Sequence, residues 1–167
     1  KTQELVQQKQ AVSLGDLKKS IANQPKALGL AAALGAGGVQ LIAEVKKASP
    51  SRGLLRPNFD PVELADTYSS NGAAAISVLT DPRFQGELEH IVQIKSAGAS
   101  RTAAVLRKDF IFDPYQVYEA RAAGADAILL IVAILSPSQI NEYLEIASEL
   151  GMDCLVETLS LIHMRCR

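Results

Sequence analysis

The feature that most constrains the fold of this chain is a repeated unit of helix start, glycine and short apolar run. Three segments place a capping side chain, then proline, then Glu or Gln at the third helical position, and they begin at Asp60, Asp113 and Ser136. Proline suits the first helical turn, where its fixed φ is compatible and its missing N–H is not needed. Glycine near a helix end takes the left-handed conformation easily. The glycines at such positions are Gly72, Gly98, Gly124 and Gly151.

Five nearly continuous apolar runs follow these helices or precede the first of them, and each predicts a strand buried on both faces of a parallel sheet. The predicted strands are Leu41–Lys46, Ala74–Leu79, Ala103–Arg107, Ala127–Val132 and Asp153–Glu157. Alternating strands and helices are typical of an α/β fold, either an open doubly wound sheet or a closed eight-stranded barrel. Periodicity alone does not separate the two.

A barrel is favoured because no glycine-rich dinucleotide fingerprint follows the first strand. Five strands cannot close a sheet that needs eight, so we expect an incomplete (β/α)8 barrel of about five βα units. The segment Leu5–Ile21 predicts one extra helix before the first strand, and Gly35–Gly38 predicts a flexible joint. The expected organisation is therefore a helical extension over residues 1–40, a partial barrel over 41–157 and a tail over 158–167.

The balance of charge limits the partners of the chain. With 17 basic and 18 acidic residues there is no overall field to hold a polyanion, so neither nucleic acid nor an anionic membrane is expected as a partner. The longest apolar stretch, Ala122–Leu135, is too short to span a bilayer. Two cysteines, Cys154 and Cys166, are too few for a disulfide scaffold, which favours a reducing compartment.

Four charged residues lie at the ends of predicted strands, where parallel βα folds place their functional groups. They are Glu44, Lys46, Lys108 and Glu157. Any one of them alone is better explained as an ordinary ion pair or a solvated charge. Four that converge on one cavity favour acid–base chemistry, with a lysine as proton donor and a partly desolvated glutamate, of raised pKa, as base.

Other residues after the strands suit an anionic, aromatic ligand. Ser49–Gly53 supplies hydroxyl groups and a cation, although an ordinary polar loop explains it equally well. Phe84 and Phe110 are candidate walls of an aromatic pocket, with membership of the core as the alternative. His90 and His163 have no plausible catalytic or metal-binding partners and are interpreted as structural or solvent-facing. Asp109 and Asp113 could be taken for metal ligands, but Asp113 is already explained as a helix cap before Pro114, and no metal is required.

Several strings in the sequence are similar to the indole-3-glycerol-phosphate synthase family, in the family's order and close to its spacing. They are Ile42–Ser51, Ser77–Asp81, Leu106–Ile111, Asp113–Gln116, Ala120–Asp126 and Leu155–Glu157. The resemblance covers about residue 2 to residue 157, and the first and third strings are highly specific.

This resemblance implies an enzyme of tryptophan biosynthesis with a (β/α)8 barrel and no cofactor or metal. The substrate would be 1-(2-carboxyphenylamino)-1-deoxyribulose 5-phosphate, which closes to indole-3-glycerol phosphate with loss of carbon dioxide and water. The matching positions imply the following roles: Lys108 as general acid, Glu157 as general base, Glu44 as organising carboxylate, Lys46 as a phosphate-side lysine, Ser49 as a contact to the anthranilate carboxylate, and Phe84 and Phe110 as walls of the aromatic pocket.

The sequence also departs from the family pattern in two places. The loop Thr80–Gly86 is one residue shorter than usual, and Thr158–Arg167 has no family character, so we expect a chain truncated after the fifth strand with doubtful activity. The alternatives are a non-catalytic fragment that associates with itself through open sheet edges, and a sister barrel enzyme such as phosphoribosylanthranilate isomerase, which the string around Lys108 argues against. The expected compartment is the cytoplasm or the plastid stroma.

Overall fold

The computed structural model describes residues 2–158, which form helices and strands in alternation. The helices are α1 (Thr2–Ala11), α2 (Leu14–Ala22), α3 (Leu30–Leu34), α4 (Pro61–Ser70), α5 (Glu89–Ser96), α6 (Pro114–Ala122) and α7 (Pro137–Glu149). The strands are β1 (Ile42–Val45), β2 (Ala48–Ser49), β3 (Gly53–Leu54), β4 (Ala75–Leu79), β5 (Ala104–Lys108), β6 (Ala127–Ile131) and β7 (Asp153–Glu157). Short 3-10 turns occur at Pro82–Phe84 and Val132–Ile134.

The helix starts and stops agree with the local chemistry of the sequence. The side chains of Asp60, Asp113 and Ser136 each accept hydrogen bonds from the first turns of α4, α6 and α7, and each is followed by proline. Four glycines end the helices with positive φ, namely Gly72, Gly98, Gly124 and Gly151. The helix starts predicted at Asp60, Asp113 and Ser136 and the four predicted glycine stops are therefore confirmed, because caps and left-handed glycines satisfy the backbone groups that a helix leaves unpaired.

The main sheet has five parallel strands in the order β1-β4-β5-β6-β7. Each βα unit adds its strand beside the one before, without the reversal of strand order that a doubly wound sheet requires. Sequential addition is the topology of a (β/α)8 barrel, of which these are five strands. Within residues 2–158 the sheet is open, with β1 and β7 as its edges.

The two faces of the sheet are covered differently. One face packs against α4 to α7 in the main core, which includes Val45, Ile76 and Ile128. The other face, which includes Ala104 and Leu106, is contacted by Leu30 of α3.

Two aspartates fix the amino-terminal extension at the amino-terminal end of the sheet. The buried Asp126 accepts a hydrogen bond from Leu28 N at 2.9 Å, and Asp153 accepts one from Ala31 N at 2.9 Å. Because these aspartates lie at the starts of β6 and β7, α3 covers the amino-terminal end of the sheet. The carboxyl-terminal ends of the strands lie at the opposite edge.

The structure corrects two expectations. The single helix predicted over Leu5–Ile21 is wrong, because Ser13 interrupts it and caps α2 by accepting a hydrogen bond from Asp16 N. The polar loop after the first strand instead contains the antiparallel hairpin β2-β3. Strand boundaries differ from the predicted ones by one residue at most. The division into residues 1–40, 41–157 and 158–167 stays a prediction, and residues 159–167 of the tail lie outside the described residues.

Candidate active site

A cavity of about 350 Å³ lies at the carboxyl-terminal edge of the sheet. Four residues predicted from the sequence line it, namely Phe84, Lys108, Phe110 and Glu157. Apolar side chains from β4 and β6, including Leu79 and Leu129, complete its wall. The cavity therefore combines ionisable groups with a largely apolar surface, which is the usual make-up of a small-molecule site.

Strand alternation explains why these charges face the cavity. Leu106 and Lys108 lie two residues apart on β5, so their side chains project to the same side of the sheet. Leu106 belongs to the face covered by α3, and Lys108 lies above it where the strand ends. Glu157 occupies the equivalent end of β7 and is exposed.

Glu44 links the two lysines of the site. Its Oε2 accepts a hydrogen bond from Lys108 Nζ at 2.7 Å, and its Oε1 lies 3.4 Å from Lys46 Nζ. The side chains of Lys108 and Glu44 are 40% and 31% exposed, so water weakens this attraction without removing it. Three of the predicted site residues therefore form one ion-paired group.

The pKa of Glu44 differs from the expectation for a desolvated glutamate. Burial works to raise this pKa, but the hydrogen bond and charge of Lys108, together with the charge of Lys46, outweigh it and hold the pKa below its ordinary value. The two cations that face Glu44 therefore prevail over its partial burial. Glu44 therefore remains ionised at neutral pH, which suits an organising carboxylate better than a proton acceptor.

Two aromatic rings form part of the cavity wall, and a cation lies over each. Lys46 Nζ is 5.5 Å from the centre of the Phe84 ring, and Arg83 Cζ is 4.2 Å from the centre of the Phe110 ring. Such contacts attract the cation to the ring face. These contacts therefore keep Lys46 and Arg83 beside the two aromatic rings of the cavity wall.

The short loop after β4 is tightly folded, which fixes Phe84. The buried Asp81 accepts hydrogen bonds from the backbone and the guanidinium of Arg83. A Cβ added at Gly86 would lie 2.2 Å from the carbonyl oxygen of Leu79, so this position cannot take a larger residue without moving the loop. Phe84 therefore reaches the cavity in spite of the shortened loop.

Ser49 does not line this cavity. It is buried in β2, and its hydroxyl group accepts a hydrogen bond from Arg52 N at 3.2 Å. Strand β2 contacts the 3-10 turn that carries Phe84, so Ser49 lies near the rim. Its role as a substrate contact stays a prediction.

The histidines and aspartates set aside in the sequence analysis have ordinary surroundings where they are described. His90 contacts the Phe59 ring edge-on, with 5.1 Å between ring centres, whereas His163 lies outside the described residues. Asp113 caps α6 and pairs with Lys9. Within residues 2–158, no three His, Cys, Asp or Glu side chains are arranged to hold a metal ion. In the same range, no helix is both long enough and apolar enough to cross a membrane.

Sequence reasoning missed Arg83 and Arg107. Arg107 is buried on β5, where its guanidinium lies between Asp109 and Glu119. An arginine inside an otherwise apolar strand was the available signal, because a buried cation needs charged or polar partners.

Comparison with known proteins shows which family the chain resembles. The sequence profile of indole-3-glycerol phosphate synthase matches residues 1–165. Indole-3-glycerol phosphate synthase of Salinibacter ruber is 52% identical over 159 residues, which are 93% of this chain and 58% of that protein. The enzyme of that name from Dehalococcoides mccartyi strain BAV1 is 59% identical over 71% of this chain and 46% of its own length. The one from Acaryochloris marina is 48% identical over 96% of this chain and 53% of its own length.

A solved structure supports the fold independently. 3-Hexulose-6-phosphate synthase from Salmonella typhimurium superposes with a TM-score of 0.53 at 16% identity, over 74% of this chain and 54% of that one. The chain spans about half of the length of the curated relatives it matches. On the profile match, the identities and the barrel topology together, the chain belongs to the indole-3-glycerol phosphate synthase family.

Proposed function

We propose that the site at the carboxyl-terminal edge converts 1-(2-carboxyphenylamino)-1-deoxyribulose 5-phosphate to indole-3-glycerol phosphate, in the context of a complete barrel. The observation that carries the proposal is the ion-paired group of Glu44, Lys46 and Lys108 beside a cavity walled by Phe84 and Phe110. Aromatic walls suit the carboxyphenyl ring, and the charged rim suits proton transfer at the ribulose carbonyl. Membership of the family supports the same reaction and a phosphorylated small-molecule substrate.

Lys108 acts as the general acid. As the ring carbon that carries the carboxylate bonds to the ribulose carbonyl carbon, Lys108 gives its proton to the carbonyl oxygen. Carbon dioxide then leaves from the ring carbon, and its bonding electrons restore the aromatic ring. The 2.7 Å hydrogen bond from Lys108 to Glu44 supports this role, because it holds the ammonium group at the cavity in a fixed direction.

Glu157 acts as the general base in the dehydration. Glu157 takes a proton from the neighbouring CH2 group as the bond to the new hydroxyl group breaks, and it passes that proton to the departing oxygen, which leaves as water. Glu157 and Lys108 line the same cavity from β7 and β5, with β6 between them, so acid and base approach the substrate from different strands. Lys46 lies on the phosphate side, and Ser49 contacts the anthranilate carboxylate.

The test uses a completed barrel, in which residues 1–157 of this chain are joined to the carboxyl-terminal half of the Salinibacter ruber relative. Substrate turnover is followed by indole fluorescence, and the pH–rate curve is expected to be bell-shaped because it reports at least one acid and one base. Glu157→Gln should flatten the limb that belongs to the base. Glu145→Gln, the same change on the exposed surface of α7, is the matched control.

Two results would contradict the proposal. A folded completed barrel without turnover would refute the proposed reaction. An unchanged pH–rate curve in Glu157→Gln would refute the role of Glu157 as general base.

For the 167-residue chain by itself we propose self-association through the open edges of the sheet. Leu41 beside β1 is 60% exposed and Val156 on β7 is 42% exposed, whereas the inner strands β4, β5 and β6 are almost wholly buried. Unpaired edge strands with apolar side chains favour pairing with another chain. Light scattering after size exclusion should show oligomers, and the fluorescence assay should detect no turnover by them. A monodisperse, active monomer would refute this.

The proposed compartment is the cytoplasm or the plastid stroma. Cys154 is a free thiol, and burial raises its pKa to about 11. A thiol that stays protonated is a poor nucleophile for disulfide exchange, in keeping with a structural role in a reducing compartment. We expect neither nucleic acid nor a membrane as a partner.

A further inference from the structure

A buried polar cluster lies behind the cavity, between the end of β5 and helix α6. We call it the Arg107 cluster, and all its members are at most 6% exposed. The members are Thr80, Arg107, Asp109, Gln116 and Glu119.

Arg107 is the centre of this cluster and joins three parts of the fold. Its Nη1 donates to the carbonyl oxygen of Gln116 at 3.0 Å and lies 2.9 Å from Glu119 Oε2, both on α6. Its Nη2 donates to Asp109 Oδ2 at 3.0 Å, directly after β5. Its Nε donates to Thr80 Oγ1 at 3.3 Å, directly after β4. One guanidinium therefore links two cavity loops to a helix.

Lys108 follows Arg107 on the same strand, and successive side chains of a strand project to opposite faces. Arg107 therefore holds the end of β5 against α6 from behind, while Lys108 faces the cavity. Since Arg107 and Lys108 are joined by a peptide bond, the bonds made by Arg107 act on the backbone that carries Lys108.

The cluster also fixes the backbone of Phe110. Its N–H donates to Asp109 Oδ1 at 2.8 Å, and its carbonyl oxygen accepts a hydrogen bond from Gln116 Nε2 at 3.1 Å. The amide oxygen of Gln116 accepts a further hydrogen bond from Phe112 N at 3.0 Å. Thr80 completes the link between loops by donating to Asp109 Oδ2 at 2.8 Å.

Stability alone does not explain such a group. Buried ion pairs are expensive to desolvate, and apolar side chains of similar volume often stabilise a core as well or better. What ionic hydrogen bonds provide, and apolar contacts lack, is direction. Here the directed bonds are made by Arg107, which precedes Lys108, and by Asp109, which precedes Phe110.

We propose that the Arg107 cluster is a positioning element for the reaction: through Thr80, Asp109 and Gln116 it sets the place of Lys108 and Phe110 relative to the loop of Phe84. This rests on the proposed function. None of the three side chains transfers a proton. Their effect on the reaction comes through geometry, to which rates are sensitive at the scale of 1 Å.

The test compares Thr80→Val with Thr80→Ser in the completed barrel. Valine nearly keeps the shape of threonine and removes the hydroxyl group, whereas serine keeps it. We expect Thr80→Val to lower kcat by about ten- to a hundredfold with KM changed less than about threefold, and Thr80→Ser to stay within about threefold of the parent. Hydrogen exchange of the Phe110 amide should accelerate at least about tenfold in Thr80→Val relative to amides of α7.

A second variant keeps the inference testable if Thr80→Val fails to fold. Gln116→Met removes both side-chain hydrogen bonds to the Phe110–Phe112 backbone without touching the ion pairs, and the same changes in kcat and exchange are expected. Wild-type kcat in the folded variants, or equal losses in Thr80→Val and Thr80→Ser, would overturn the proposal. A folded but inactive parent barrel would refute the proposed function alone, and Phe110 exchange would then decide the positioning role.

Discussion

Replacing Lys108 by methionine in the completed barrel should abolish ring closure while leaving the fold nearly unchanged. Methionine keeps much of the length and apolar volume of the lysine stem and removes the proton donor. A general acid contributes about 10²- to 10⁴-fold to a rate. At about 1.4 kcal/mol per tenfold, the variant should lose about 3–5 kcal/mol of transition-state stabilisation.

The structure predicts a much smaller effect of Lys108→Met on folding. The Lys108 side chain is 40% exposed and that of Glu44 is 31% exposed, so their ion pair is largely screened and contributes at most about 1 kcal/mol. Glu44 also keeps a cationic neighbour, since Lys46 Nζ lies 3.4 Å away. The free energy of unfolding should therefore fall by less than about 1 kcal/mol. A catalytic loss several times larger than the stability loss distinguishes a proton donor from a structural lysine.

Single-turnover kinetics with indole fluorescence measures the first quantity, and urea unfolding measures the second. Lys26→Met, on the exposed segment before α3, is the matched control and should leave both unchanged. A Lys108→Met variant that keeps a tenth or more of the parent rate would refute the assignment of Lys108. Loss of rate in proportion to loss of folded protein would refute it as well.

Two further predictions concern stability, measured by urea unfolding of the same barrel. Asp126→Asn should lower the free energy of unfolding by about 2–4 kcal/mol. The reason is that the buried carboxylate accepts hydrogen bonds from Lys95 Nζ, Leu28 N and Val105 N. A change below about 1 kcal/mol would contradict this. The pKa of Glu44 is lowered by folding, so its contribution is present above its ordinary value of 4.5 and is lost as pH falls through the lowered pKa. The parent should be more stable to unfolding than Glu44→Gln by at most about 1 kcal/mol, and this difference should shrink in acid. A difference that grows in acid would mean that folding raises the pKa of Glu44 instead of lowering it.

Local chemistry made most of the fold predictable from the sequence. Proline and capping residues at Asp60, Asp113 and Ser136 determine where helices begin, and these signals act within a few residues. The break at Ser13 escaped prediction because the apolar periodicity of Leu5–Ile21 continues across it. In the structure Ser13 is extended and caps α2 by accepting a hydrogen bond from Asp16 N. Propensity is a weak guide where a cap competes with a continuing pattern.

Four residues that line the cavity were predictable from the sequence, whereas Arg83 and Arg107 and the electrostatics of the site were not. Strand alternation places Lys108 and Glu157 at one edge, and it depends only on spacing. The lowered pKa of Glu44 depends on the distances to Lys108 and Lys46, which are set by tertiary structure. The position of Arg107 between α6 and two loops is likewise a product of packing across the sheet.

The described strands carry the residues that we propose for proton transfer, whereas the helix starts beside them are poorly suited to a phosphate. A helix amino terminus binds phosphate through free N–H groups and a positive dipole. Here carboxylates already occupy the starts of α4 and α6, since Asp60 and Asp113 accept the first N–H groups. Ser136 caps α7, and α5 begins next to Glu87 with Glu89 in its first turn. A dianion at any of these four positions would displace a cap or meet a negative charge. In the proposed reaction, proton transfer at Lys108 and binding of the substrate phosphate would therefore be separate tasks, and we expect the second to fall to Lys46 or to groups beyond these four helix starts.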